Sequence, residues 1–312
     1  HLGNILGRHR ARIVAGRRVS LGTYFNAFPA AYWQHWTSVR EVQLTVRTTG
    51  PATILVYRSN GAGVRQRVAT REVTGEATTS FDLALTQYSD GGWIWFDIVA
   101  DEKNALFEGA EWTTEQEPAR NGKASLGITT YNKPDYCVET LRALASSPDA
   151  LEFVDRIFLV DQGTQLVADQ EGYDDVAGRL GDTLQVIRQA NLGGSGGFAR
   201  AMYETLQRPE SDFVQLLDDD VRLEPESLRR SIVFGQYATT PVLVGGHMFD
   251  MYNRPVLNGY AEVVDRYRFL WGPIEHLGGI DFSEAGLRSR PNLHRRWDAD
   301  YNGWWMCLIP RK

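Results

Sequence analysis

Between about Ser20 and Trp112, apolar and polar residues alternate in short runs separated by turn residues. EVQLTVRTTG reads as an alternating strand stopped by Gly50, and ATILVYRSNGAG as a strand running into a turn. TSFDLAL and GGWIWFDIVAD add two more, the last with Trp93, Trp95 and Asp97 on one face and Ile94, Phe96 and Ile98 on the other. A period of two residues marks strands that bury one face, and this region shows no helical period. Several short strands so spaced predict an antiparallel β-sandwich or jelly roll.

The polar stretch EWTTEQEPARNGK reads as a linker, and after it the rhythm changes. ASLGITT is an apolar strand, Pro134 breaks the chain, and a helix is predicted near Cys137–Ala145. RIFLVD, TLQVIRQ, FVQLLDDD and PVLVGG are further strands, and FARAMYETLQR and PESLRRSIVFGQYA are helices, the second opened by Pro225. Strands alternating with helices predict an α/β domain with a mostly parallel sheet, which binds ligands at the carboxyl ends of its strands. The expected division is a β-sandwich over 1–118 and an α/β domain over 119–312.

Composition narrows the function. Of the 312 residues, 43% are hydrophobic and 23% charged, as in ordinary globular proteins, and the length suits two domains. A net charge of -6 argues against a nucleic-acid partner. Cys137 and Cys307 are too far apart and too few for a disulfide framework or a zinc site, which points to a reducing compartment. No run of eighteen apolar residues spans a membrane, and the basic first residues lack the apolar core of a signal peptide. A chain opening on His1 reads as part of a longer polypeptide.

The sharpest chemical signal is Asp218-Asp219-Asp220 at the end of an apolar strand. Adjacent carboxylates repel, and a cation relieves them. In an extended segment Asp218 and Asp220 project to one side, so the pair could face one divalent ion together with diphosphate oxygens. The second signal is Asn191-Leu-Gly-Gly-Ser-Gly-Gly between a strand and a helix. Its glycines let backbone N–H groups approach a phosphate at a helix N-terminus. Gly194, Gly196 and Ala199 also match a dinucleotide fingerprint with Asp218 as ribose acid. Two features oppose that reading: a strand–helix–strand unit precedes the loop, and three acids stand where one is needed. The strand ends TTYNKP and LVDQG bring further polar groups to the same sheet edge. Lastly, Trp304 and Trp305 beside Asn302-Gly303 suit stacking on a sugar ring, as do Trp271 and Glu262 in their segments, although such aromatics serve equally often as core.

These segments together resemble a known family. YFNAFPAAYW, DGGWIWFDI, TTYNKP, VDQG, NLGGSGGFARAMYE, DDDVRLEP, YAEVVDR and DYNGWWMCLIPR are similar to the polymerising galactofuranosyltransferases of bacterial cell-wall galactan, from about Leu21 onward. The resemblance implies a β-sandwich followed by a GT-A glycosyltransferase domain acting with inversion. It implies UDP-galactofuranose as donor, Mn²⁺ or Mg²⁺ as cofactor, and a galactan on a polyprenyl diphosphate as acceptor, extended by β-1,5 and β-1,6 links. It further implies a homo-oligomer peripheral on the cytoplasmic face of the plasma membrane.

Carried over residue by residue, the resemblance gives Asp218 and Asp220 the metal and diphosphate role. Lys133, Gln162, Asn191, Gly193, Gly194 and Asp218 fall to the donor; Glu262, Trp271, Trp304 and Trp305 fall to the acceptor. Lys133 stands where the family pattern has arginine, replacing a fork by a point charge. The family's catalytic base, an aspartate in a tryptophan-led acidic motif, is expected beyond Lys312 with a later metal-binding histidine; WDAD at 297–300 lies upstream and is not assigned that role. Two other readings stay open: a transferase for another nucleotide sugar, and a carbohydrate-binding or assembly module without turnover.

Overall fold

The computed structural model describes residues 3–274 and 277–311; His1, Leu2, Glu275, His276 and Lys312 lie outside the described residues. The chain forms two compact units. One comprises residues up to Glu117 together with 253–261 and 272–298; the other comprises 118–252, 262–271 and 299 onward. A single cut after residue 118 leaves those two later segments with the α/β domain. Composition shifts mark a linker, whereas membership of a unit is set by packing.

The first unit is built of antiparallel strands: β1 (Gly3–Ile5), β2 (Ala11–Ile13), β3 (Arg18–Ser20), β4 (Glu41–Thr49), β5 (Ala52–Ser59), β6 (Arg65–Val73), β7 (Glu76–Ala84), β8 (Ile94–Ala100) and β9 (Ala105–Thr113). They form a five-stranded sheet in the order β1-β2-β9-β4-β7 and a four-stranded sheet in the order β3-β8-β5-β6. Alternation works as expected in β4, where Val42, Leu44, Val46 and Thr48 are buried and their neighbours are not. The Phe96 ring of β8 and the Phe107 ring of β9, one from each sheet, lie 6.0 Å apart centre to centre.

β8 departs from simple alternation, being buried on both faces. The reason is the later segment. Trp93 Nε1 donates to the Leu293 carbonyl at 2.9 Å, and the Trp95 ring meets His294 at 6.3 Å. His294 is itself buried: its Nδ1 lies 2.6 Å from Ser59 Oγ, and its Nε2 lies 3.0 Å from the Leu287 carbonyl. A helix also forms where none is expected, α1 (Ala30–Trp36). Its two turns are too short for a 3.6-residue period to show against the surrounding strands.

The second unit has the expected rhythm: β10 (Lys123–Thr130), α2 (Pro134–Ala145), α3 (Pro148–Leu151), β11 (Val154–Asp161), α4 (Tyr173–Leu180), β12 (Leu184–Arg188), α5 (Gly193–Leu206), β13 (Ser211–Asp218), α6 (Pro225–Tyr237) and β14 (Val244–Gly245). The last strand, Met306–Pro310, completes a sheet ordered β12-β11-β10-β13, last strand, β14. The first four strands run parallel; the last strand is antiparallel to both β13 and β14.

Side chains alternate across this sheet, and both faces are covered. Leu126, Ile128, Ile157, Leu159, Phe213 and Leu217 pack in one cluster with Val138, Leu141 and Leu144 of α2 and Leu228 and Ile232 of α6. Phe158, Val160, Val214 and Leu216 face the other way, toward Ala201 and Phe198 of α5. Gly127 allows that approach: a Cβ there would stand 2.5 Å from the Ala201 methyl. Among the described residues no helix is long and apolar enough to cross a membrane.

Candidate active site

Parallel register aligns the strand ends. Thr129 of β10 pairs with Asp218 of β13, and Thr130 pairs with Asp161 of β11. The loops that follow are tied together by side chains. Asn132 adopts a left-handed φ of 58°, and its Oδ1 accepts from the N–H groups of Thr164 (2.8 Å) and Gln165 (3.0 Å). Buried Asp161 accepts from Gly163 N, Val167 N and Arg188 Nη1, the last at 2.7 Å. Asp161 is thus a bracket for the loop, fully engaged.

Gln162 is another bracket. Its Oε1 accepts from Leu192 N at 2.9 Å and Gln189 Nε2 at 3.1 Å, while its Nε2 donates to the Gly193 carbonyl at 3.1 Å. It holds the glycine turn rather than facing open space. The glycines, expected as a loop, are the first turns of α5, which starts at Gly193 with φ 71°. Asn191 Oδ1 accepts from Gly193 N at 2.9 Å and fixes the entry. At Gly197 a Cβ would stand 2.2 Å from Thr129 Cγ2, so no side chain fits between helix and strand. Gly193 and Gly194 are exposed, and a Cβ on either would meet nothing within 4 Å. The helix therefore presents a bare N-terminus to solvent at the carboxyl edge of the sheet, where backbone dipoles favour an anion.

The three aspartates meet at this edge. β13 ends at Asp218, and Asp219 and Asp220 lie in the following turn. Strand alternation therefore does not place Asp218 and Asp220, as expected from an extended segment; the turn gathers all three, with one carboxylate oxygen of each within 4.8 Å of the others. Asp218 is anchored by its N–H to the Trp305 carbonyl at 3.1 Å, and Asp219 Oδ2 accepts from Tyr131 N at 3.3 Å. Burial pushes the Asp218 carboxyl above the usual carboxylate range, with repulsion from Asp219 and Asp220 adding to it. Burial also raises Asp219. Lys133, over the Tyr136 ring, reaches Asp220 only at 3.8 Å, too long for a hydrogen bond. Three converging hard oxygens with one distant cation fit a divalent metal of the Mg²⁺ or Mn²⁺ kind.

The aromatic residues divide. Trp304 is 43% exposed and meets Phe198 of α5 edge-on at 5.8 Å. Trp305 is half-buried and packs on the cluster of α2 and α6. The turn therefore does not offer both rings, as a paired sugar platform requires. Trp271 is 59% exposed and leans on Tyr301 at 5.2 Å. The Glu262 carbonyl accepts from Asp300 N (2.9 Å) and Tyr301 N (3.3 Å), joining that segment to the Trp271–Tyr301 pair.

A model for the galactofuranosyltransferase 2 N-terminal domain matches residues 3–115, and one for glycosyltransferase-like family 2 matches residues 122–311. The chain belongs to glycosyltransferase-like family 2. Its curated relatives include the galactofuranosyltransferase GlfT2 of Mycolicibacterium smegmatis, 41% identical over 94% of this chain and 47% of that one. GlfT2 of Mycobacterium tuberculosis is 39% identical over 98% of this chain and 49% of that one. The chain spans about half the length of the curated relatives it matches. A solved mannosyltransferase from Pyrobaculum calidifontis shares 14% identity over 63% of this chain and 48% of its own, with a TM-score of 0.35.

The family-2 domain explains the fold expected from sequence, a GT-A sheet preceded by a β-rich domain. It gives no support to the dinucleotide reading. The glycine turn follows β12, the edge strand of the parallel set, whereas a dinucleotide fingerprint follows the first strand of its unit. Sequence reading passed over Asp219, Asn132, Arg188 and Tyr301. Asp219 carried a signal, its place in the triplet; the others matter through partners distant in the chain.

Proposed function

We propose that this chain is the donor-binding part of a galactofuranosyltransferase, using UDP-galactofuranose and a divalent cation, Mn²⁺ or Mg²⁺, to extend a galactan on a polyprenyl diphosphate through β-1,5 and β-1,6 links. The convergence of the Asp218, Asp219 and Asp220 carboxylates beside the bare N-terminus of α5 carries this reading. A cation held there would compensate the charge of the departing diphosphate. Gly194 offers its backbone N–H to the same anion, Asn191 holds Gly193 in place by accepting its N–H, Gln162 holds the Gly193 carbonyl, and Lys133 adds a positive charge. On the acceptor side we assign Glu262, Trp271 and Trp304, with Trp305 positioning Asp218 through its carbonyl. Among the described residues we assign no general base. Peripheral attachment to the inner face of the plasma membrane and assembly of several copies belong to the same proposal.

Calorimetry of UDP binding in metal-stripped buffer, with and without Mn²⁺, tests the donor assignment. Binding is expected to need the ion, and NAD is expected not to compete. Equal UDP affinity without metal would remove the carboxylates from the site.

A further inference from the structure

The first unit contains a second concentration of charge. Asp97 of β8 is fully buried, and a carboxylate without water needs donors. Arg18 of β3 supplies Nε at 2.6 Å and a second guanidinium nitrogen to Oδ2, and the Ser20 hydroxyl donates to Oδ1. That set already neutralises and satisfies Asp97. Yet Arg288 also points at Oδ2 from 3.6 Å, beyond a good hydrogen bond. Arg65 of β6 lines the same cleft and has no carboxylate partner among the described residues. Tyr57 and Trp95 form the remaining wall, their rings 5.8 Å apart and 16° from parallel, with the Arg18 guanidinium 5.3 Å from the Tyr57 ring centre.

Three guanidiniums therefore line a cleft of about 290 Å³, two of them turned toward the Asp97 carboxylate. Packing accounts for Arg18 alone. Gathering Arg65 and Arg288 beside it costs repulsion that an anion would relieve. Their forks match phosphate oxygens in pairs. The cleft is at the small end of ligand sites, which excludes a long glycan.

We propose that this cleft binds a phosphoryl group, as phosphate or diphosphate, borne on a single sugar or on a lipid headgroup. The site is separate in residues and unit from the aspartate cluster, so it stands or falls independently of the transferase reading.

The test is titration of the whole chain with inorganic pyrophosphate in metal-stripped buffer. Arg65 is exposed and pairs with no carboxylate among the described residues, so Arg65→Glu should fold normally, which its melting curve checks. It is expected to weaken binding by about ten-fold or more, with Arg65→Lys intermediate, because a fork is exchanged for a point charge. Lys103→Glu, at an exposed position outside the cleft lining, is expected to leave this affinity within about two-fold, as a site without shared contacts should. A hexose 1-phosphate and vesicles of phosphatidylglycerol in phosphatidylcholine, each tested for competition, identify the source of the phosphoryl group. Unchanged affinity in Arg65→Glu, or no pyrophosphate binding by the wild type, would overturn the proposal.

Discussion

Replacing Asp218 by asparagine should stabilise the protein without metal and abolish its stabilisation by Mn²⁺. Asp218, Asp219 and Asp220 place carboxylate oxygens within 4.8 Å of one another. At that separation two unit charges repel by about 0.9 kcal/mol in water and about 3.5 kcal/mol at an effective dielectric of 20. The partial exposure of all three sites favours the lower figure, so removing one charge from two such pairs should recover roughly 1–2 kcal/mol. Asparagine keeps the acceptor that Asp219 N uses, so little is lost in exchange. For a unit of this size the melting temperature should rise by about 3–6 °C. Wild type with Mn²⁺ at a hundred times its Kd should gain about 2.7 kcal/mol, and the variant much less. The pH dependence has a definite sign. Folding raises the Asp218 and Asp219 carboxyls, so the native state holds more protons than the unfolded chain in the interval between their raised values and the ordinary one. Stability from this cluster therefore increases as pH falls through that interval, while the benefit of Mn²⁺ shrinks. Thermal melts of both proteins at several pH values, with and without Mn²⁺, measure all of this. A variant that melts below wild type in metal-stripped buffer, or that gains as much from Mn²⁺, would refute the reasoning.

In the full-length protein, Asp220→Ala should cut transfer by about 10²–10³ or more without lowering the melting temperature, since Asp220 is exposed and its removal also relieves repulsion in the triplet; single-turnover assays read the first and calorimetry the second. Trp304→Ala should raise acceptor KM or lower kcat without unfolding the chain, whereas Trp305→Ala, which opens the main cluster of its unit, should cost about 2–4 kcal/mol by denaturant titration. Burial holds the His294 imidazole below its ordinary pKa, so the first unit should lose stability as pH falls below about 6.5, where the unfolded chain takes up a proton that the native state refuses. His294→Gln should flatten that slope.

The parallel core and the aspartate triplet were legible because both are local: an apolar run ending in acids needs no partner to be recognised. The same holds for α2 and α6, each opened by a proline at its first turn. What sequence could not show depends on closure across the chain. Gln162 belongs to the glycine turn through bonds thirty residues away, and Arg188 meets Asp161 only because β11 and β12 are neighbours. The triplet itself reads as strand because nothing in FVQLLDDD marks where extended backbone gives way to a turn. Trp304 and Trp305 looked equivalent in sequence; their opposite surroundings follow from which side of the last strand each approaches.

The double burial of β8 has a bearing on biosynthesis. Trp93 and Trp95 emerge from the ribosome about 200 residues before Leu293 and His294, the residues that meet them. At roughly 5–20 residues per second, one face of that strand waits about 10–40 s for its cover. During the wait the nascent chain carries two indoles without their later cover, on a unit whose other strands are already available to pair. A polypeptide released early, at the end of β9, would carry that uncovered face permanently, and would be a substrate for chaperones rather than a free-standing domain.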